Sequence, residues 1–459
     1  MPRVTMLSAL IAATLAVPAL AQKEAPPVPG TPKDFVLPAP TRITLPNGLK
    51  VTMVQYGAIP KALVSLSVAA GNVEEAANEV WLADMVTALM TEGTARRSGA
   101  ELALAAAKMG GSIGASAGPV RASIGGEVLS EFAPDMVRLV AEVAQTPSFP
   151  AGALDRVRAD KLRELALQKS TPQGMAAAKF AEVVYGDHSY GRYFPTEDAL
   201  EGYTLEQVRR FHEARFSAAR SRLYVVGRFD PATVERAARE AFGGWKAGAV
   251  AEPPRAKPTS TRGVHIVDKP GAVQSTLVVG MPVIDPSHPD WIPLSVTNTL
   301  LGGYFSSRVT ANIREAKGYT YSPFSSVTSH PGDACWAQQA DVTTAVTGAS
   351  LKEIFHEIDR LQAEPPSEAE LDAVKNYQAG TFVFQNSQRS GITSQLQFLD
   401  LYGLPDDYLT GYVRRVRAVT PAKVQEMAAK YIDDTKATIV VVGDRRGVEA
   451  QVSEFGPVK

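Results

Sequence analysis

The chain has 459 residues, of which 45% are hydrophobic and 21% charged, enough apolar material for two or three ordinary domains with cores of their own. Lys and Arg number 47 against 48 Asp and Glu, so at a formal net charge of −1 no broad basic field exists for nucleic acid or an acidic lipid surface. A single cysteine, Cys335, excludes an internal disulfide, and its place beside Trp336 in a strand-like run reads as a buried, inert thiol.

In chain order, residues 1–21 have the layout of an export signal. Arg3 supplies the positive start, Met6 to Val17 the apolar stretch, and Ala19-Leu20-Ala21 a small-x-small cleavage site. That stretch is too short to span a membrane, no cysteine follows the cleavage position, and no later run reaches spanning length. The expectation is an exported protein without a membrane span, periplasmic where the cell has two membranes. Residues 22–40 hold six prolines and read as an extended leader.

Within Glu79–Glu92 the apolar residues at 82, 85, 86, 89 and 90 follow the i, i+3, i+4, i+7, i+8 stripe of an amphipathic helix. The glycines at 110, 111, 114 and 118 lack the Gly-Lys-Ser/Thr ending of a phosphate loop and read as a helix end and strand entry. YGDHSYGR puts His188 in a turn. A helix over Glu206–Phe216 leads into the strand LYVVG at 223–227. Prolines 253, 254 and 258 then mark a linker, 248–262, between domains at 41–247 and 263–459.

The second domain repeats the first. Lys423–Ile432 and IVVVG at 439–443 follow the first helix and strand at a constant offset of 216 positions, matching Val208 to Val424 and Val225 to Val441. Near the front of each half a strand pair ending at Gly71 or Gly280 precedes a helix, Glu79–Thr91 or Trp291–Leu301. A fixed period of this length predicts a duplicated α+β domain, each copy a mostly antiparallel or mixed sheet covered by helices. The segment Leu300–Phe324, LLGGYFSSRVTANIREAKGYTYSPF, reads as a helix end, a Gly-Gly turn, a second amphipathic helix with Val309, Ile313 and Arg314, and a strand through Tyr319 and Tyr321. By those rules alone, Arg314 serves the dipole at a helix C-terminus, Gly318 ends the helix, and Tyr321 is an ordinary strand residue.

The Gly-Gly, Ser-Arg and Arg-Glu-x-x-Gly pattern of that segment resembles the C-terminal half of the pitrilysin/insulinase-type zinc metallopeptidases, and the resemblance implies two homologous halves over nearly all of Thr41–Gly443. It implies that Arg314 and Tyr321, seven residues apart, face an active site and act as hydrogen-bond donors to a developing oxyanion, typically about 3 kcal/mol per donor. It also implies that the helix at 79–92 should carry H-x-x-E-H, two His ligands with a Glu base between them. Counting back from Gly93-Thr94, those three positions are Asp84, Thr87 and Ala88, so the motif is gone. Lys161–Gln173 resembles the later helix that carries the third ligand, with Glu164 at the ligand position, and Ala115 and Ser116 stand at an edge strand that pairs with substrate peptide in the family, where Gly114 replaces the usual Asn.

In that family some enzymes pair a zinc-bearing half-sized chain with a degenerate copy that supplies the Arg and Tyr across the interface. The expectation is therefore a zinc-free, non-catalytic subunit of an exported heterodimeric metallopeptidase, with zinc and the peptide-cleaving step on a homologous partner. Two alternatives stand beside it: a structural or peptide-binding relative with no catalytic role, and a self-sufficient peptidase using Asp84 and Glu164 with a third ligand from elsewhere.

Overall fold

The computed structural model describes residues 35–250 and 254–459. The expected export signal, the leader up to residue 34 and residues 251–253 of the linker lie outside the described residues. Among the described residues no helix is long and apolar enough to cross a membrane.

Six strands of the first half form one mixed sheet: β1 (Thr41–Thr44), β2 (Lys50–Gln55), β3 (Lys61–Val68), β4 (Gly114–Ala117), β5 (Ala122–Leu129) and β6 (Ser221–Gly227), in the order β1-β2-β6-β3-β5-β4. Five strands of the second half form another: β7 (Gly263–Asp268), β8 (Gln274–Val283), β9 (Phe324–His330), β10 (Asp333–Thr343) and β11 (Thr438–Gly443), in the order β7-β11-β8-β10-β9. The two strands singled out by the 216-residue offset hold matching places. β6 runs parallel to β2 and antiparallel to β3, and β11 runs parallel to β7 and antiparallel to β8. The duplicated, helix-covered mixed sheets expected from the repeat are what the chain forms.

Each half packs one sheet face on its own helices. Val51, Val64, Leu66, Leu223 and Val225 meet helices α1 (Leu82–Met90), α2 (Gly99–Lys108) and α3 (Ala133–Gln145) in one core. Leu277, Val279, Ile439 and Val441 meet the helix Thr347–Ala363 in the other.

Because side chains alternate between faces at every residue, the intervening apolar positions must be buried elsewhere. They are covered by a helix from the opposite half. Tyr224 and Val226 of β6 and Val54 of β2 pack against Ile392 and Leu396 of the helix Arg389–Tyr402. Val440 and Val442 of β11 and Val278 of β8 pack against Ala176, Met175 and Phe180 of α5 (Pro172–Tyr185), which follows α4 (Ala151–Ser170) in the first half. LYVVG and IVVVG are continuous apolar runs because both faces are buried. Arg389 forms a bidentate pair with Glu127 of β5 (2.9 and 3.0 Å), and Arg222 of β6 pairs with Asp400 at 2.9 Å.

Several expected boundaries move for identifiable reasons. The helix expected across Lys161–Gln173 breaks at Thr171, whose extended backbone and side chain, accepting from Gly174 N–H, start α5 with Pro172 in its first turn. Gly280 is not a strand end but lies inside β8, where a Cβ would fall 2.7 Å from Phe180 of α5. The glycine is what lets the exchanged helix settle on the sheet. Trp291–Asn298 is α-helical, and the expected remainder to Leu301 continues as the wider π turn Thr299–Gly303.

Candidate functional site

Helix α1 begins later than Glu79 because Trp81 takes a left-handed backbone, φ +68°, and the Glu75 carboxyl caps the exposed N–H groups behind it. Trp81 N–H donates to Oε2 of Glu75 at 3.1 Å and Ala83 N–H to Oε1 at 2.8 Å. Leu82, Met85, Val86, Leu89 and Met90 then bury the apolar stripe, which leaves Asp84 and Ala88 on the side toward α4. Ala88 is packed against the core without a donor atom, and the Thr87 hydroxyl donates into its own helix, to the carbonyls of Ala83 (3.1 Å) and Asp84 (3.2 Å).

Asp84 and Glu164 line one wall of a cavity of about 680 Å³ enclosed by both halves, together with Asn72, Glu75 and Trp81. The opposite wall is the β8–β10–β9 face of the second sheet, including Val278, Ala337 and Thr328. Asn72 Nδ2 donates to Glu75 Oε1 at 3.0 Å and to Asp84 Oδ2 at 2.8 Å. Gln168 Nε2 donates to Glu164 Oε1 at 3.1 Å, and Lys161 Nζ reaches Glu164 Oε2 at 2.8 Å and Asp84 Oδ1 at 3.9 Å. Burial pushes the Glu75 carboxyl up to about 8, against the pull of the Ala83 N–H and Asn72. Burial also raises Asp84 above the usual carboxylate range, with Asn72 and Lys161 pulling the other way.

The residues at the zinc positions do not fit zinc. A tetrahedral site needs four N, S or O donors around one point. Here two carboxylates remain, their oxygens taken by amides and an ammonium, and no group of three or more His, Cys, Asp or Glu among the described residues could hold a metal ion. Sequence reasoning missed Asn72, Glu75 and Lys161. Lys161 was legible as an i, i+3 partner of Glu164, whereas nothing local marked Asn72 and Glu75.

At the seam between the halves, Tyr185 of α5 donates to Asp333 Oδ1 at 2.9 Å and lies 3.4 Å from the Cys335 sulfur. Burial pushes the Cys335 thiol up to about 12, so it is not a nucleophile. His188 caps the short turn Ser189–Gly191, accepting from Tyr190 N–H, and Tyr190 stacks on His330 at 3.8 Å. Burial, reinforced by His188, holds His330 down to about 4 and so neutral.

In the second half the helical turns before Gly318 are anchored from within. Ile313 is buried, Arg308 forms a bidentate pair with Glu370 (2.7 and 3.0 Å), and Asn312 donates to Glu353 and Glu357. Arg314 is half-buried against aromatic rings, its guanidinium 4.2 Å from the Phe305 ring centre and 5.1 Å from that of Tyr321. Tyr321 is not in a strand, contrary to expectation. Gly318 turns the chain at φ +65°, Thr320 makes a lone bridge to Val342 with its hydroxyl on the Asp341 carbonyl (2.7 Å), and regular pairing starts only at Phe324. That leaves Tyr321 81% exposed beside Arg314. Neither residue lines the cavity that holds Asp84 and Glu164. Ala115 and Ser116 do lie on an edge strand, β4, the outermost of the first sheet.

Residues 51–194 match the family described as insulinase (peptidase family M16), and residues 202–377 match the peptidase M16 inactive domain. An uncharacterized zinc protease of Mycobacterium leprae is 28% identical over 62% of this chain; the match spans 65% of that relative, just under two thirds of its length. An uncharacterized zinc protease of Streptomyces coelicolor is 23% identical over 91% of this chain and 90% of its own. Among solved structures, a peptidase M16 inactive domain from Pseudomonas fluorescens superposes with a TM-score of 0.81 at 25% identity, covering 88% of this chain and 98% of that one. A protease from Helicobacter pylori shares the fold, with a TM-score of 0.83 at 21% identity over 89% of this chain and 100% of that one.

Proposed function

Since this chain belongs to the M16 peptidase family and its residues 202–377 match the inactive domain of that family, we propose that it is the non-catalytic subunit of an exported heterodimeric zinc metallopeptidase. The observation that carries this reading is the pairing of a first half whose ligand positions hold Asp84, Thr87 and Ala88 with a second half that holds Arg314 beside the exposed Tyr321. In the proposed complex a homologous partner carries the zinc and the general base. Arg314 and Tyr321 reach that site and donate hydrogen bonds to the peptide carbonyl oxygen as it becomes an oxyanion. The export signal read at residues 1–21 supports a site of action outside the cytoplasm, the periplasm where the cell has two membranes.

A tag at Lys459 and isolation from the exported fraction of the native cell tests this. The expected result is a near-stoichiometric partner of similar length bearing H-x-x-E-H, and peptidase activity in the pair but not in either chain alone. Recovery of this chain alone, as monomer or homodimer, overturns it.

The enclosed cavity favours a second reading. A peptide-binding relative without catalytic role would use the cavity and the β4 edge at Ala115 and Ser116, and would bind peptides without any partner.

A further inference from the structure

We propose that the ammonium of Lys161 is a resident cation that stands in for a metal ion in the first half and closes that position to divalent cations. This goes beyond the subunit reading and holds for the chain on its own. An i, i+3 pair between Lys161 and Glu164 would by itself be an ordinary feature of a helix surface. Two further contacts set it apart. The same Nζ lies 3.9 Å from Asp84 on a different helix, and 5.9 Å from the centre of the Trp81 ring. The Lys161 side chain is only 18% exposed, so its charge is held among these groups rather than dispersed into water.

The carboxylate oxygens account for the rest. Of the three acidic groups on this wall, Asp84 gives Oδ2 to Asn72 and turns Oδ1 to Lys161. Glu164 gives Oε1 to Gln168 and Oε2 to Lys161. Glu75 gives both oxygens to Asn72 and to the N–H groups at the start of α1. Five of the six oxygens accept hydrogen bonds within the chain, and the sixth, Asp84 Oδ1, faces the Lys161 ammonium at 3.9 Å. An ammonium has three donors and no lone pair, so it balances the repulsion between Asp84 and Glu164 but cannot share their oxygens with a metal. A divalent ion entering here would displace Lys161 against like-charge repulsion.

Trp81 adds an independent sign that this arrangement is built. A bulky residue at φ +68° is a strained choice, sustained here by the hydrogen bond from its N–H to Glu75, and its ring forms the third side around the Lys161 ammonium.

The test compares the full chain with Lys161→Gln by equilibrium dialysis against zinc and against calcium, and by thermal unfolding with and without about 1 mM of each ion. The native chain should bind neither ion stoichiometrically and show no shift. Lys161→Gln should unfold about 2–5 °C lower and regain that loss with a divalent cation, a response that Asp84→Asn added to Lys161→Gln abolishes. Lys161→Arg, which keeps the charge, should behave as the native chain. One zinc per native chain, lost in Asp84→Asn, would overturn the proposal. So would a Lys161→Gln chain as indifferent to metal as the native one, or one that fails to fold with either ion while Lys161→Arg folds.

Discussion

The carboxylate wall of the first half and the Arg314–Tyr321 corner of the second lie in the two copies of a duplicated fold and differ in how their polar groups are paired. On the wall, Asn72, Gln168, Lys161 and the N–H groups of α1 satisfy Glu75, Asp84 and Glu164 inside the chain. At the corner, the buried Ile313, Arg308 and Asn312 hold the backbone, while Arg314 touches two aromatic rings and Glu315 and Tyr321 points into solvent. Groups that complete their bonding internally have little left to offer a ligand, whereas the exposed Tyr321 hydroxyl is open to meet one.

Breaking the frame that holds both regions should have the largest effect. Leu396 is 2% exposed and fills the outer face of the first sheet from a second-half helix, so Leu396→Ala should cost about 2–5 kcal/mol in denaturant unfolding. In the assembled peptidase, Arg314→Ala or Tyr321→Phe should lower kcat by roughly 10²-fold, about 3 kcal/mol, with the complex intact by gel filtration. Equal turnover in these variants and in the native pair would erase the contrast.

Glu75 sharpens the comparison through pH. Its folded pKa, about 8, lies above its ordinary value of 4.5, so the folded chain keeps a proton that the unfolded chain releases between those values. Stability is full below this window and falls as pH rises through it, and Glu75→Gln should flatten that slope in unfolding curves taken from pH 5 to 8. The smallest effect belongs to Glu164, whose side chain is 44% exposed: Glu164→Gln should change stability by less than about 1 kcal/mol in the same assay, because solvent screens its pairing with Lys161.

Much of this was readable from local pattern. The apolar stripe at 82, 85, 86, 89 and 90 set the buried face of α1, and the positions of Asp84, Thr87 and Ala88 already excluded a histidine site. Where expectation and structure part, the cause is a contact distant in sequence or an unusual backbone. Glu75 and the left-handed Trp81 delay α1, Thr171 splits α4 from α5, and the turn at Gly318 keeps Tyr321 out of the strand.

The sequence by itself determined the duplication and the two mixed sheets, because periodicity and spacing are properties of the chain alone, and its resemblance to a known family located the ligand positions and the residue types that remain there. Only the tertiary structure decided what covers the second face of each sheet and what balances the surviving carboxylates. An apolar run such as LYVVG announces that both faces are buried but not by which helix, and any of several would exclude water equally well. Likewise a carboxylate demands a partner without naming it. Asn72, twelve residues from Asp84, and Lys161, on another helix, become those partners only once α1 and α4 lie side by side.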